Sequence, residues 1–251
     1  MLSRIEDAGI NASAPPQQRW LDGWIVRTSP GKARRARCVN AVAPGRLPLE
    51  QKLALAEQAF KDAGLPMVVR ITRFTLPTDL DAKLAAMGWI RVDDTRVMVC
   101  PRLPVSEPTA LPAGTHWERL SGADYAETVG ELRGSPPIQR AAHAERLATS
   151  PVPYQGYAIR RDQDRLVLAC GQFAREADLV GLYDVFTRES ERGQGLARSL
   201  CERLLSLASK EGATVAYLQT EADNQAARAT YHRLGFADQY GYHYRQRPGQ
   251  G

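Results

Sequence analysis

The apolar positions along the C-terminal part of the chain predict a helix, a strand, a second helix and a closing strand. Leucines recur at helical spacing in the first helix, namely Leu196, Leu200, Leu204 and Leu207, and this spacing places them on one face. The strand is expected at 215–220. The second helix begins at Asp223 or Asn224 and ends before Gly235, and an aromatic strand at 240–245 follows.

The N-terminal part shows the same order of elements. A helix is expected between Pro48 and Gly64, and a strand at 67–72, a helix at 78–88 and a strand at 95–100 follow it. Each second helix runs into a similar tripeptide, Met87-Gly88-Trp89 in the first half and Leu234-Gly235-Phe236 in the second. An internal duplication explains this agreement, and two unrelated α/β segments are the alternative.

Further apolar runs precede each of these units. Strands are expected at 20–28, 36–42, 157–161, 165–175 and 179–187, and helices at 122–133 and 138–149. The fold class is therefore α/β (α+β), with a mostly antiparallel mixed sheet flanked by helices in each half. The proline-rich stretch 101–114 indicates a linker. We therefore expect domains at 1–102 and 115–251, joined by residues 103–114.

Composition and charge narrow the class of protein. The 251 residues are 43% hydrophobic and 24% charged, which is typical of a globular chain, and the net charge of +5 suits an anionic ligand. Basic residues are dense only at Lys32–Arg37, which we interpret as a solvated strand or loop, with nucleic-acid binding as the alternative. The four dispersed cysteines predict no metal site and no disulfide framework. We expect a cytoplasmic protein without a membrane partner, since neither a signal peptide nor a membrane-spanning run is present in the sequence.

The stretch 190–205, SERGQGLARSLCERLL, holds a glycine pair before a helix. It is either a tight turn or an anion cradle, because Gly193 and Gly195 let backbone amides approach a ligand and a helix N-terminus carries partial positive charge. Arg192 and Arg198 add full charges. The stretch lacks the Gly-Lys-Ser/Thr of a Walker A loop, and Arg198 replaces the third glycine of a dinucleotide fingerprint.

Two motifs together resemble those of the GCN5-related N-acetyltransferase (GNAT) superfamily. RGQGLA at 192–197 is similar to its R/Q-x-x-G-x-G/A signature, and TEADNQAARATYHRLGF at 220–236 is similar to its second cofactor segment. The resemblance covers about residues 115–246. The first half resembles the degenerate N-terminal repeat of tandem GNAT proteins, which implies two GNAT-like lobes.

The resemblance implies acetyl-CoA as the cofactor and assigns residues to it. Backbone groups of Val185, Phe186 and Thr187 would meet the pantetheine arm and the thioester carbonyl. Amides of the loop would hold the pyrophosphate, through Arg192, Gly193, Gln194, Gly195, Leu196, Ala197 and Arg198. Asn224 would bind the pantetheine, and Tyr231 would lie near the sulfur.

Acetyl transfer to an amine needs a neutral nucleophile and an acid for the departing thiolate. Tyr231 is the expected general acid, and a phenol that merely packs the helix is the alternative. Asn224 can also serve as a helix N-cap. Asp184 or Glu221 is the expected base, with a water-relayed proton as a third option. His232 is expected at the surface, because it lies about 100° around the helix from Tyr231.

We therefore expect an acetyl-CoA-dependent N-acetyltransferase that acts by direct attack of a primary amine in a ternary complex. The alternative is a non-catalytic acyl-CoA-binding sensor or structural module. The acceptor would be a small-molecule amine or a peptide. In the first half, Leu84 and Pro77 replace Tyr231 and Asn224, and Pro48 removes an amide from the loop. That half is expected to bind no CoA and to cover the sheet or supply a wall of the acceptor site.

Overall fold

The computed structural model describes residues 1–103 and 107–249, so part of the expected linker lies outside the described residues. The helices are α1 (Leu2–Ala12), α2 (Leu49–Asp62), α3 (Leu80–Ala86), α4 (Gly122–Leu132), α5 (Pro137–Thr149), α6 (Leu196–Lys210) and α7 (Gln225–Arg233). The strands are β1 (Gln18–Leu21), β2 (Trp24–Arg27), β3 (Val39–Ala41), β4 (Val68–Ile71), β5 (Ile90–Cys100), β6 (Thr115–Leu120), β7 (Tyr154–Arg161), β8 (Val167–Glu176), β9 (Leu179–Thr187), β10 (Val215–Glu221) and β11 (Ala237–Gln246). Within these ranges, no helix is long and apolar enough to cross a membrane.

All eleven strands form one sheet in the order β1-β2-β3-β4-β11-β5-β10-β9-β8-β7-β6. Neighbours are antiparallel except for two parallel pairs, β3 with β4 and β9 with β10. The predicted α/β class and the mostly antiparallel sheet are confirmed.

The two halves do not keep separate sheets, and the prediction of one sheet in each half is wrong in that respect. Strand β5 of the first half lies between β10 and β11 of the second, while β11 pairs with β4, opposing His243 to Ile71. Each half is thus completed by the closing strand of the other. The alternation of apolar and polar side chains predicts which face of a strand is buried, but it does not predict which strand pairs with it. The exchange of strands between the halves therefore cannot be predicted from the sequence pattern. The division into 1–102 and 115–251 stays a prediction, and the sheet runs across it.

The two faces of the sheet carry different cores. Helix α6 covers one face and buries Leu200, Cys201 and Leu204 completely, as the leucine spacing predicts. The other face is rich in tyrosine, and the hydroxyls of Tyr183 and Tyr217 lie 2.7 Å apart. Helix α1 packs on that face. All four cysteines are buried and free in the described ranges.

Strands β9 and β10 separate part-way along their length. Their parallel pairing extends only from Leu179 opposite Val215 to Leu182 opposite Leu218. Just beyond it, a β-bulge interrupts the pairing of β9 with β8, and Asp184 adopts a left-handed conformation with φ +51°. A bulge bends its strand. The divergence opens the cleft that contains the candidate site.

Candidate functional site

A cavity of about 600 Å³ lies where β9 and β10 diverge. Its lining comes from both halves: the loop 29–37 and strand β5 of the first, and helices α4, α5 and α7 and strands β9, β10 and β11 of the second. The basic run Lys32–Arg37 therefore faces a concave site. The expectation of a solvated strand or loop does not include this cavity wall, which forms because the exchanged strands bring the loop against the second half.

The glycine loop precedes α6 as predicted. Gly193 and Gly195 have φ of +80° and +77°, which L side chains rarely adopt, and a Cβ at either position would meet no atom within 4 Å. The space beside the loop is open, and the unpaired amides of the first turn of α6 begin there. Such a cradle suits an anion. Leu196 is buried at the start of α6, and Ala197 is partly buried.

The polar side chains of this loop are held along the chain. Arg192 lies 3.6 Å from Glu189 and over the ring of Phe186, 5.7 Å from its centroid. Gln194 Nε2 donates to Glu191 at 3.2 Å, and Arg198 Nε donates to Glu202 at 2.8 Å. Because these side chains are held by neighbouring residues, the backbone amides of the loop are the main groups available to bind a ligand.

The end of β9 offers an open edge to the cleft. Beyond Leu182 the edge that faced β10 has no strand partner among the described residues, so Val185, Phe186 and Thr187 can present backbone groups there. The hydroxyl of Thr187 is buried and lacks a hydrogen-bond partner in the described structure. An unsatisfied buried hydroxyl beside an unpaired strand edge fits a polar ligand such as a pantetheine arm.

Helix α7 places Asn224 and Tyr231 on the cavity. Asn224 caps the helix, its side-chain oxygen accepting from the Ala227 amide at 3.1 Å. Tyr231 packs edge-on against Phe236, with ring centroids 6.1 Å apart, and burial raises the pKa of its hydroxyl. His232 lies within 3.0 Å of the Phe236 carbonyl through Nδ1 and is exposed, as expected.

Asp184 is held in a cationic setting. Arg133 Nη1 donates to its carboxylate at 2.9 Å and Gln172 Nε2 at 2.8 Å, while His143 and Arg146 lie 3.4 and 3.8 Å away. Burial alone would raise the pKa of Asp184, but Arg133, His143 and Arg146 outweigh it and hold the pKa well below its usual range. A carboxylate so stabilised is a weak proton acceptor, which argues against Asp184 as the base.

The other base candidate, Glu221, ends β10 as an exposed residue on the cavity wall. His143 on α5 also lines the cavity, and the sequence gives no signal for it, because a lone histidine in a helix carries no motif. Its approach to Asp184 depends on residues far apart in the chain.

Comparison with known proteins finds a family similarity in the second half. Residues 124–236 match the model of the acetyltransferase (GNAT) family. The match covers a little under half of the chain and makes this segment similar to GNAT acetyltransferase domains. The protein is accordingly an acyltransferase.

One relative resembles more of the chain than this domain, whereas a second matches only 18% of the chain. The chain is 26% identical over 234 residues to the uncharacterized N-acetyltransferase YobR of Bacillus subtilis, covering 91% of both chains. A 45-residue stretch is 47% identical to N-alpha-acetyltransferase 30 of Schizosaccharomyces pombe, covering 30% of that protein.

Solved structures share the fold. A GCN5-related N-acetyltransferase from Kribbella flavida superposes with a TM-score of 0.66 at 18% identity, covering 98% of this chain and 95% of the other. A tandem GNAT protein from the clavulanic acid biosynthesis pathway gives 0.62 at 16% identity, covering 78% and 68%.

The first half fills the position that corresponds to the glycine loop of the GNAT domain. Before α2, the carboxylate of Asp22 accepts from the amides of Arg46 and Leu47 at 2.8 Å each, and the Lys52 ammonium lies 3.5 Å from it. Asp22 therefore takes the place that an anionic ligand would occupy at this helix start. Leu84, which the sequence comparison of the two halves aligns with Tyr231, is fully buried in the core of the first half.

Proposed function

We propose that this protein is an acetyl-CoA-dependent N-acetyltransferase that acetylates a primary amine by direct attack in a ternary complex. The observation that carries the proposal is the convergence of Val185, Asn224 and Tyr231 on one cavity, at the point where β9 and β10 diverge. The glycine loop begins α6 beside the free end of β9. A cofactor and an acceptor could thus meet from the two sides of the sheet.

Different segments of the chain bind different parts of acetyl-CoA. The cofactor supplies the activated thioester when bound. Loop 192–198 and the start of α6 offer amides and a helix terminus to the pyrophosphate. The open edge of β9 at 185–187 offers backbone hydrogen bonds, and the Asn224 amide nitrogen stays available because only its oxygen caps α7.

Tyr231 acts as the general acid in this proposal. Its raised pKa keeps the hydroxyl protonated at neutral pH, so it can donate a hydrogen bond or a proton to the departing thiolate. Asp184 serves as a counter-ion for Arg133 and its neighbours. Glu221, His143 or a water between them is left to accept the proton of the amine.

The acceptor is a small-molecule amine or a peptide, and we propose no nucleic-acid partner. The run Lys32–Arg37, the densest basic stretch, lines a concave cavity rather than a flat or convex face. A duplex needs an accessible basic face. The four buried free thiols fit a reducing compartment and support a cytoplasmic location.

CoA release from acetyl-CoA with a panel of amines tests the proposal. Tyr231→Phe should lower kcat by about a hundredfold, a typical loss for a general acid, with an unchanged melting temperature. Tyr157→Phe, which removes another hydroxyl remote from the cavity, is the matched control. Full turnover in Tyr231→Phe would reject Tyr231 as the acid. Tight acetyl-CoA binding without release for any amine would favour the acyl-CoA sensor instead.

A further inference from the structure

The cavity is strongly cationic. Its wall carries seven basic side chains but only three carboxylates. The basic residues are Lys32, Arg34, Arg35, Arg37, Arg133, Arg140 and Arg146, and the acidic ones are Asp93, Asp184 and Glu221. A concave site with one excess sign of charge raises the local concentration of oppositely charged ligands.

Four of these cations are paired with three carboxylates within the protein. Arg34 Nε pairs with Asp93 at 2.6 Å, and Arg140 pairs with Glu127. Arg133 and Arg146 share Asp184, at 2.9 and 3.8 Å. These pairs balance three of the four positive charges, and the remaining one is shared between Arg133 and Arg146 beside Asp184.

The remaining three lie on the loop from the first half. In the described ranges, no carboxylate comes within 4.0 Å of Lys32, Arg35 or Arg37. Arg35 is only partly exposed, its guanidinium lies over the Tyr183 ring at 5.8 Å, and its Nε is buried without a hydrogen-bond partner there. Burial and the neighbouring Arg34 lower the pKa of Arg37 more than Asp93 raises it, so Asp93 only partly compensates the charge of that guanidinium.

An unpartnered buried donor is expensive unless a ligand satisfies it. Arg35 stands beside Tyr183, the residue that precedes Asp184 at the divergence of β9 and β10. Residues 192–198 are not among the described residues that line the cavity, so these cations are separate from the loop proposed for the pyrophosphate.

We propose that the acceptor is an anionic amine, a molecule that carries a carboxylate or phosphate bound by Arg35 with support from Arg37 and Lys32. Guanidinium groups bind both anions through paired N–H donors. This inference rests on the proposed acetyl transfer and names its substrate class. The first half of the chain then acts as the specificity element of the second.

Matched acceptors test the inference. The first pair is glucosamine 6-phosphate and glucosamine. The second pair is two tripeptide amides that differ only at the second position, which is aspartate in one and asparagine in the other. The anionic member of one pair should have at least about tenfold higher kcat/KM, and the pair that shows it tells phosphate from carboxylate recognition. Arg35→Gln should raise KM for that anionic amine about tenfold or more and leave the neutral partner unchanged. Arg35→Lys should recover part of the loss.

The matched control is Arg119→Gln, which removes an exposed arginine on β6, and both acceptors should be unaffected. If Arg35→Gln does not fold, Arg37→Gln takes its place with the same expectation. Equal kcat/KM within both pairs, or an equal loss for charged and neutral amines, overturns the inference. If no amine is acetylated, the proposed function fails, and calorimetric binding of the same pairs to the CoA complex then decides this inference separately by the same comparison.

Discussion

The backbone conformation of the loop before α6 requires glycine at positions 193 and 195. Both have positive φ, and no atom lies within 4 Å of where a Cβ would be. A side chain would thus strain the loop without a clash, and the open space is left for a ligand. The residue type and spacing make this loop recognisable from the sequence, because only glycine adopts such angles freely.

Alanine at either glycine should weaken acetyl-CoA binding. The left-handed conformation costs an L residue about 1–2 kcal/mol, and relaxing that strain moves the amides, so Kd should rise about tenfold. Calorimetry measures it. Gly114→Ala is the control, since Gly114 has φ +71° and equally open space. It should lose similar stability and keep full affinity. Unchanged affinity in both loop variants would count against the cradle.

Asp184 illustrates what a sequence hides at the residue scale. Its position near the end of a strand suggests a base, but its character comes from Arg133, directly after α4, and from His143 and Arg146 on α5. These contacts join residues far apart in the chain, and no local pattern predicts them. The same holds for Asp22, which meets the Arg46 amide only in the folded loop.

Asp184→Asn should destabilise the protein by about 3 kcal/mol or more at pH 7, because it leaves buried guanidinium groups unpaired. The native pKa of Asp184 is depressed, so its contribution is complete above the unfolded value of about 3.9 and is lost as pH falls below it. Urea unfolding at several pH values measures the difference from wild type, which should shrink below about pH 4. Asp62→Asn, at an exposed site on α2, should change little. An equal difference at pH 7 and pH 3 would contradict this role.

At the scale of elements, the spacing of apolar residues predicts most helices and strands. Helices α2, α4 and α5 begin and end within about two residues of the prediction, and α6 contains all four of the leucines that predicted it. Helix α1 is missed: it contributes Glu6 to a buried ion pair with Arg70, a long-range contact. The exchange of β5 and β11 is also not predicted, because the pairing of strands depends on contacts between residues far apart in the sequence.

The exchange predicts that neither half folds alone. Fragment 104–251 would lack β5, whose Val97, Met98 and Val99 are completely buried between β10 and β11. Separate fragments 1–103 and 104–251 should show no cooperative thermal transition, while a co-expressed pair should form a complex that binds acetyl-CoA. Circular dichroism and size-exclusion chromatography measure this. A chain nicked within the linker after folding is the control and should stay intact. Cooperative unfolding of fragment 104–251 alone would refute the prediction.

At the scale of the whole molecule, the two halves share an order of helix, strand, helix and strand but differ at the start of the first of these helices. One keeps an open glycine loop, and the other fills the matching position with the Asp22 carboxylate. The cavity lies between them and draws its lining from both. The similar order of elements in the two halves can be predicted from the sequence. That a carboxylate fills the loop before α2, while the loop before α6 stays open, is visible only in the structure.

One acetyl-CoA per chain is therefore expected. Asp22 already accepts the amides that a pyrophosphate would need before α2, and the pKa of Asp22 is lowered by them, so it stays ionised and repels a second anion. Isothermal calorimetry should give a stoichiometry near one, and Gly193→Ala should weaken that single site. Two sites per chain would overturn the assignment.

The pairing of β11 with β4 has a consequence for synthesis on the ribosome. Strand β4 emerges early, yet its partner is made near the end of the described chain, as the pairing of Ile71 with His243 requires. A nascent chain must hold an apolar strand edge unpaired through most of translation. Contacts of such long sequence separation slow folding and expose that edge to other chains. Production of this protein should therefore be more sensitive to chaperone supply than that of a GNAT domain whose strands pair in order.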